Sequence, residues 1–155
     1  MAARWFAAAL IVELIDGEWM VWVMKCAVVK KDGTKGPTKV KAPGGTEEGH
    51  PEDQSVLDTR DREVPEETNM SIRSRNDGLL IHSPPPSANG HIKCFYLVER
   101  SAMVGTMRTE EIIIGNDWMS APYLISLEEA QTVLFGEHGV AAGKALKRLR
   151  SLVHA

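Results

Sequence analysis

Residues 4–14 and 19–30 are dense in Val, Ile, Trp and Ala, and Asp16-Gly17 stands between them. Two strand-like runs joined by Asp-Gly predict a β-hairpin. Asp32-Gly33 through Gly36-Pro37 reads as a second turn, and Lys39-Val40-Lys41 as a short strand that runs into Pro43-Gly44-Gly45. Residues 46–54 are polar and read as a loop. Ser55-Val-Leu-Asp58 then has the form of a capping box, with Ser55 as N-cap and Asp58 in the place of the usual glutamate. The helix it opens is predicted to end near Thr68, where Asn69 can take the left-handed conformation that closes helices.

Further along, residues 79–82 and 91–100 alternate or run apolar and predict strands, with Ser83-Pro84-Pro85-Pro86 as a stiff extended loop between them. Residues 101–120 show no clear period and read as irregular. Ser126-Leu-Glu-Glu129 is a second capping box, opening a short helix to about Phe135, and residues 140–153 form a terminal amphipathic helix. Strands interleaved with separated helices predict an α/β fold with a mixed sheet, in a single domain over residues 1–155.

Composition narrows the classes. The 155 residues are 43% hydrophobic and 25% charged, enough for one real core. The net charge of −3 gives no general attraction to nucleic acid or an anionic membrane, and no apolar run is long enough to span a bilayer. Lys144, Lys147, Arg148 and Arg150 gather on one side of the last helix, where a solvated face explains them. The N-terminal run meets Glu13 and Asp16 early and reads as a first strand rather than a targeting segment. Cys26 and Cys94 lie far apart without metal-ligand spacing, and two buried reduced thiols in a cytoplasmic protein account for them.

The candidate chemistry sits on the first helix. At about 100° per residue, Glu63, Glu66 and Glu67 share an arc of roughly 100°, while Leu57, Val64 and Thr68 point to a core. Three crowded carboxylates repel one another unless a cation lies among them. Hard divalent ions take such oxygen donors, so a magnesium or manganese site competes here with a solvated acidic face.

Pro43-Gly44-Gly45, Arg62-Glu63-Val64-Pro65-Glu66-Glu67-Thr68, Phe95-Tyr-Leu-Val-Glu99 and Ile125-Ser-Leu-Glu-Glu-Ala130 occur in the order found in Nudix hydrolases, which the chain resembles. The resemblance implies a Nudix-like α/β/α sandwich with a mixed β-sheet. It implies an Mg2+- or Mn2+-dependent pyrophosphohydrolase of a nucleoside diphosphate-linked small molecule. The substrate is open among nucleoside triphosphate, ADP-ribose and nucleotide sugar. The Gly45 carbonyl, Glu63, Glu66 and Glu67 are then the metal ligands, and Arg62 orients Glu63 or a neighbouring carboxylate. No nucleic acid or membrane partner is implied, and a homodimer is left open.

Four departures keep a second reading alive, a weak or inactive nucleotide-binding module. The loop from Gly45 to Arg62 is about three residues longer than in the family. Its glutamate position falls on Gln54, with Glu52 or Asp53 as substitutes. Asn69 replaces a glycine, and Pro65 lies inside the helix, where it removes the hydrogen bond to the Asp61 carbonyl and should bend the chain at a cost of about 3 kcal/mol.

Many relatives also place a glutamate before the last capping box, where this chain has Tyr123, a poor base at neutral pH. Glu110 and Glu111, with Glu47 and Glu48, are the other candidate bases, Glu111 foremost, although a solvated turn also explains the pair at 110–111. Trp118, read as a loop residue, is the candidate for stacking on a nucleobase; Trp5, Trp19 and Trp22 read as packing residues of strands. His82 and His91 flank the proline loop and read as ordinary loop histidines.

Overall fold

The computed structural model describes residues 4–47 and 53–153. The chain runs β1 (Trp5–Ile15), β2 (Glu18–Val28), β3 (Lys39–Lys41), β4 (Gly44–Thr46), α1 (Val56–Thr68), β5 (Met70–Ile72), β6 (Leu79–His82) and β7 (Ile92–Glu99). It continues with β8 (Met103–Gly105), β9 (Ile112–Ile114), β10 (Asp117–Met119), β11 (Tyr123–Ser126), α2 (Leu127–Val133) and α3 (Glu137–Val153). The β1–β2 hairpin forms as predicted. Asp16 and Gly17 take φ of 51° and 80°, the left-handed pair a two-residue turn demands.

β1 lies at the centre of the main sheet. It runs antiparallel to β2 and β4 and parallel to β7, so the sheet is mixed. The path is β6-β7-β1-β2-β10-β9, with β3 and β11 on β2 and β4 on β1, while β5 and β8 form a separate ribbon. A strand covered on both faces should be apolar without alternation, and Ala7 through Val12 are fully buried. Their side chains still divide by parity. Ala8, Leu10 and Val12 meet Phe95 and Leu97 together with Leu127 and Ala130 of α2 and Ala142, Ala145 and Leu146 of α3. Ala9 and Ile11 meet Val98 and Val64 of α1, with Met70 and Met103. Helices therefore cover both faces, and the α/β/α sandwich is the observed architecture.

α1 begins and ends where its caps place it. The Ser55 hydroxyl accepts from Asp58 N–H at 3.2 Å. Asp58 does not complete a standard capping box: its carboxylate takes the Gln54 N–H at 2.8 Å and the Arg75 guanidinium, not the N–H of Ser55. Asn69 closes the helix at φ 67°, ψ 8°, donating to the Pro65 carbonyl at 3.0 Å. The helix continues through Pro65. Val64 and Thr68 are buried as expected, whereas Leu57 stays partly exposed.

Several expectations are corrected. Residues 101–120 are ordered as β8, β9 and β10. Trp118 is in β10, paired with Ala27 and Ile113, rather than in a loop, because the short hairpin at Gly115-Asn116 turns β9 back onto the sheet. α3 starts at Glu137, three residues before the expected 140. Cys26 is only partly buried, although both thiols are free. His82 ends β6 rather than sitting in a loop; it is buried, with Glu137 at 2.6 Å from Nε2 and the Lys144 ammonium at 2.8 Å from Nδ1. Among the described residues no helix is long and apolar enough to cross a membrane. Glu48 and Glu52 lie outside the described residues.

Candidate active site

The glycine turn is wedged between the central strand and α1. Gly44 and Gly45 pair with Ala8 and Ala7 of β1. A Cβ at Gly44, where φ is +154°, would collide with the Ala7 carbonyl and lie 2.5 Å from the Ala8 Cα. At Gly45 the obstruction comes from the other side: a Cβ would meet the Glu63 carboxyl carbon at 2.5 Å. The Glu63 carboxylate thus lies directly on the Gly45 backbone, which only glycine permits. The turn is held from behind by the Ala42 N–H, which donates to Nδ1 of His138 at 3.2 Å. His138 is enclosed by the rings of Phe6, Phe95 and Phe135. Burial, with Lys41 and Lys93 adding to it, pushes the imidazole down to about 3, so it accepts this hydrogen bond as a neutral ring.

The three glutamates of α1 stand at three depths. Side-chain exposure is 15% for Glu63, 42% for Glu66 and 4% for Glu67. Glu67 takes the Gly44 N–H at 2.9 Å and the Lys41 ammonium at 3.1 Å. Arg62 grips Asp53 through Nε at 3.1 Å and Nη2 at 2.9 Å, and its Nη1 lies 3.1 Å from Glu63 and 3.4 Å from Glu66. Arg62 thus makes its two-pronged contact with Asp53, while single contacts orient Glu63 and Glu66. Asp53 is buried and also takes the Thr59 hydroxyl at 2.8 Å. That hydroxyl in turn accepts from the Trp5 indole at 2.7 Å. A line of hydrogen bonds so joins β1, the loop before α1 and the helix.

Burial pushes the Glu63 carboxyl up to about 7; Glu67 adds to the rise and Arg62 opposes it. Burial also raises Glu67 against the pull of Lys41. Asp53, Glu63, Glu66 and Glu67 carry four negative charges against the two positive charges of Arg62 and Lys41, leaving −2 when all are ionised. The donor set around the turn is all oxygen, the preference of a hard divalent cation, and one such ion would balance its residual charge. The residues fit such an ion by chemistry. As they stand, Arg62 and Lys41 hold the carboxylates, and no group of three or more His, Cys, Asp or Glu is arranged to hold a metal among the described residues.

The other sequence candidates lie elsewhere. Glu111 accepts from the Trp118 indole at 3.0 Å, and no hydrogen bond or ion pair joins it to the α1 carboxylates among the described residues. The Lys35 ammonium lies over the Trp118 ring at 3.7 Å from its centroid. Glu47 is buried and accepts from the Arg4 N–H at 3.0 Å. Burial raises the Tyr123 phenol, Glu129 adding to it, which makes it a still poorer base. Arg108, not singled out from the sequence, ties the 107–111 segment to the end of α1. Its guanidinium donates to the carbonyls of Glu67 at 3.0 Å, Ser120 at 3.0 Å and Glu110.

Lys41 was equally invisible as a site residue, although a charged residue two positions before the Pro-Gly-Gly turn was the available signal. Two surface cavities, about 420 and 340 Å3, open beside Gln131 and Lys147 and beside Leu14 and Arg150. Neither is lined by the glycine turn or α1.

No protein-family model matches the sequence. No curated protein matches it either. Solved structures do. A MutT Nudix hydrolase from Burkholderia pseudomallei is 20% identical, with 93% of this chain and 98% of that one aligned at a TM-score of 0.61. The Nudix domain of NrtR from Shewanella oneidensis, solved with ADP ribose, is 17% identical over 96% of this chain and 90% of that one, at 0.63. An Ap4A hydrolase from C. elegans is 14% identical over 96% and 98%, at 0.56. The chain has the Nudix fold.

Proposed function

We propose that this protein is a Nudix-type pyrophosphohydrolase, a single-domain cytoplasmic enzyme that acts on a small nucleotide and uses Mg2+ or Mn2+. One observation carries the reading. α1 sets Glu63 and Glu67 against the Gly44-Gly45 turn, and Arg62 joins Glu63 to the more exposed Glu66 one turn on. In this reading the Gly45 carbonyl and the three glutamates are the donors for the divalent ion. The bound ion supplies charge neutralisation on the phosphate oxygens and ionisation of the attacking water. The protein's own residues hold and orient. Arg62, anchored by Asp53, keeps Glu63 against the glycine backbone and holds Glu66 beside it. Glu111 is the proposed proton acceptor, on the 107–111 segment that Arg108 ties to α1. Trp118 is the proposed stacking surface for a base, its indole N–H already engaged by Glu111.

The substrate class is a nucleoside diphosphate joined to a further group. The ADP ribose in the S. oneidensis structure supports ADP-ribose or a nucleotide sugar. The test is a panel of nucleoside triphosphates, ADP-ribose and nucleotide sugars, with phosphate and monophosphate release measured with and without Mg2+. Metal-dependent release of a nucleoside monophosphate or pyrophosphate supports the proposal; binding without release on every compound rejects it. A second reading, a nucleotide-binding module that does not cleave, is favoured by the Lys41–Glu67 ion pair, which occupies a carboxylate the hydrolase would use.

A further inference from the structure

Lys41 enters the carboxylate cluster from β3 and meets Glu67. It stands on β3 opposite Met24 of β2, and its side chain is 12% exposed. Its ammonium lies 2.7 Å from the Gly44 carbonyl and 3.1 Å from each Glu67 carboxylate oxygen. The Gly44 N–H closes the ring by donating to Glu67 at 2.9 Å. A backbone carbonyl of the glycine turn and a buried carboxylate are the kind of oxygen donors a divalent ion takes, and here both face an ammonium instead. An ammonium is a compact point charge with three donors, so it can satisfy two such oxygens at once.

We propose that the Lys41 ammonium is a resident cation of this site, holding the Gly44 carbonyl and Glu67 in the place of one divalent ion. This takes Glu67 out of the donor set proposed above: metal binding is left to Glu63, Glu66 and the Gly45 carbonyl, and the chain takes one divalent ion fewer than its oxygen donors allow. This rests on the reading of the glycine turn and α1 as a divalent-cation site. It differs from a purely structural ion pair in one respect: once the lysine is gone, a metal ion can do its work.

The test uses the full chain, Lys41→Met, and the double variant Lys41→Met with Glu67→Gln. Mn2+ stoichiometry is measured by electron paramagnetic resonance, and melting temperature in chelator and in Mn2+. Removing one partner of a buried pair should lower the melting temperature of Lys41→Met in chelator by roughly 10 °C. Mn2+ should restore it, and this variant should bind one more Mn2+ than the parent. The double variant should melt near the parent in chelator and lose the extra ion. If Lys41→Met does not fold in chelator, folding on addition of Mn2+ supports the inference. Remaining unfolded in Mn2+ while the double variant folds overturns it.

Equal Mn2+ binding by parent and Lys41→Met, with no restoration, overturns the role of Lys41 and leaves the hydrolase reading standing. No Mn2+ binding by either protein overturns both. Mn2+ binding by the variant alone supports the role of Lys41 and counts against the hydrolase.

Discussion

The two faces of the sheet bury different kinds of atoms. Toward α2 and α3, β1 presents Ala8, Leu10 and Val12 to Leu127, Ala130, Ala142, Ala145 and Leu146, and the layer between is mostly apolar, with His82 and His138 buried as well. Toward α1, a smaller apolar cluster is flanked by buried Asp53, Thr59, Arg60, Glu67 and Arg108. Arg60 is 0% exposed, donates to Asp61 and to the carbonyls of Asp77 and Arg75, and lies 4.9 Å from the Tyr96 ring centroid.

Charge taken out of water costs several kcal/mol per ion unless paired, and replacing such pairs by apolar groups is often neutral or stabilising. A face that keeps them is specialised to hold groups in place. The α2–α3 face, by contrast, supplies the stabilisation, at about 1.5–3 kcal/mol for each fully buried large aliphatic side chain.

The largest expected break falls on the charged face. Gly45→Ala pushes a methyl group into the Glu63 carboxylate, and a displacement of about 1 Å at such a site can cost about a hundredfold in rate. Steady-state assays should show that loss in kcat with the protein still folded; an unchanged kcat would mean that Glu63 has no part in turnover. On the opposite face Leu146→Ala should cost about 2–5 kcal/mol in denaturant unfolding while leaving kcat per folded molecule unchanged. A fall in kcat would show that the two faces are not separable.

His138 ties the apolar face to the glycine turn. Its folded-state pKa lies near 3, well below the ordinary 6.5, so between these pH values the unfolded chain binds a proton that the folded chain does not. This contribution to stability is full above about pH 6.5 and declines as pH falls toward 3. His138→Phe should flatten that acid slope. It should also cost about 1–3 kcal/mol at pH 7, because the Ala42 N–H loses its acceptor. An unaltered slope in pH-dependent unfolding would place the titrating group elsewhere. The last change is a stabilising one: Pro65→Ala should raise stability by about 2 kcal/mol, the gain in helix propensity being reduced by a looser unfolded chain. A lower melting temperature would show that the proline shapes the packing of α1.

Most of the frame was legible because its signals are local. The apolar run of β1, the Asp16-Gly17 turn, the Ser55 and Ser126 caps and Asn69 each act within a few residues. The strands β5, β8, β9 and β10 were not legible: each is three residues long, and pairing across the sheet rather than any period defines them. The glutamates of α1 follow from helical spacing, but their partners do not. Lys41 is 26 residues from Glu67, and their meeting depends on β3 being laid against β2. Asp53 could be named only beside Glu52, since choosing between them requires the approach of Arg62 and Thr59. Trp118 read as a loop residue because residues 101–120 show no clear period, although the turn at Gly115 and Asn116 makes it part of a strand.

The central claim is that the α1 glutamates at the glycine turn drive metal-dependent cleavage. The most direct measurement compares the parent chain with Glu66→Gln on the best substrate of the nucleotide panel, across an Mg2+ titration. Glu66 is 42% exposed, so the change should leave the fold intact. The account predicts a loss of at least about a hundredfold in kcat and a rightward shift of the Mg2+ dependence, as for removal of one strong electrostatic contact in a transition state. Turnover by Glu66→Gln at the parent's rate and with its Mg2+ dependence would contradict it.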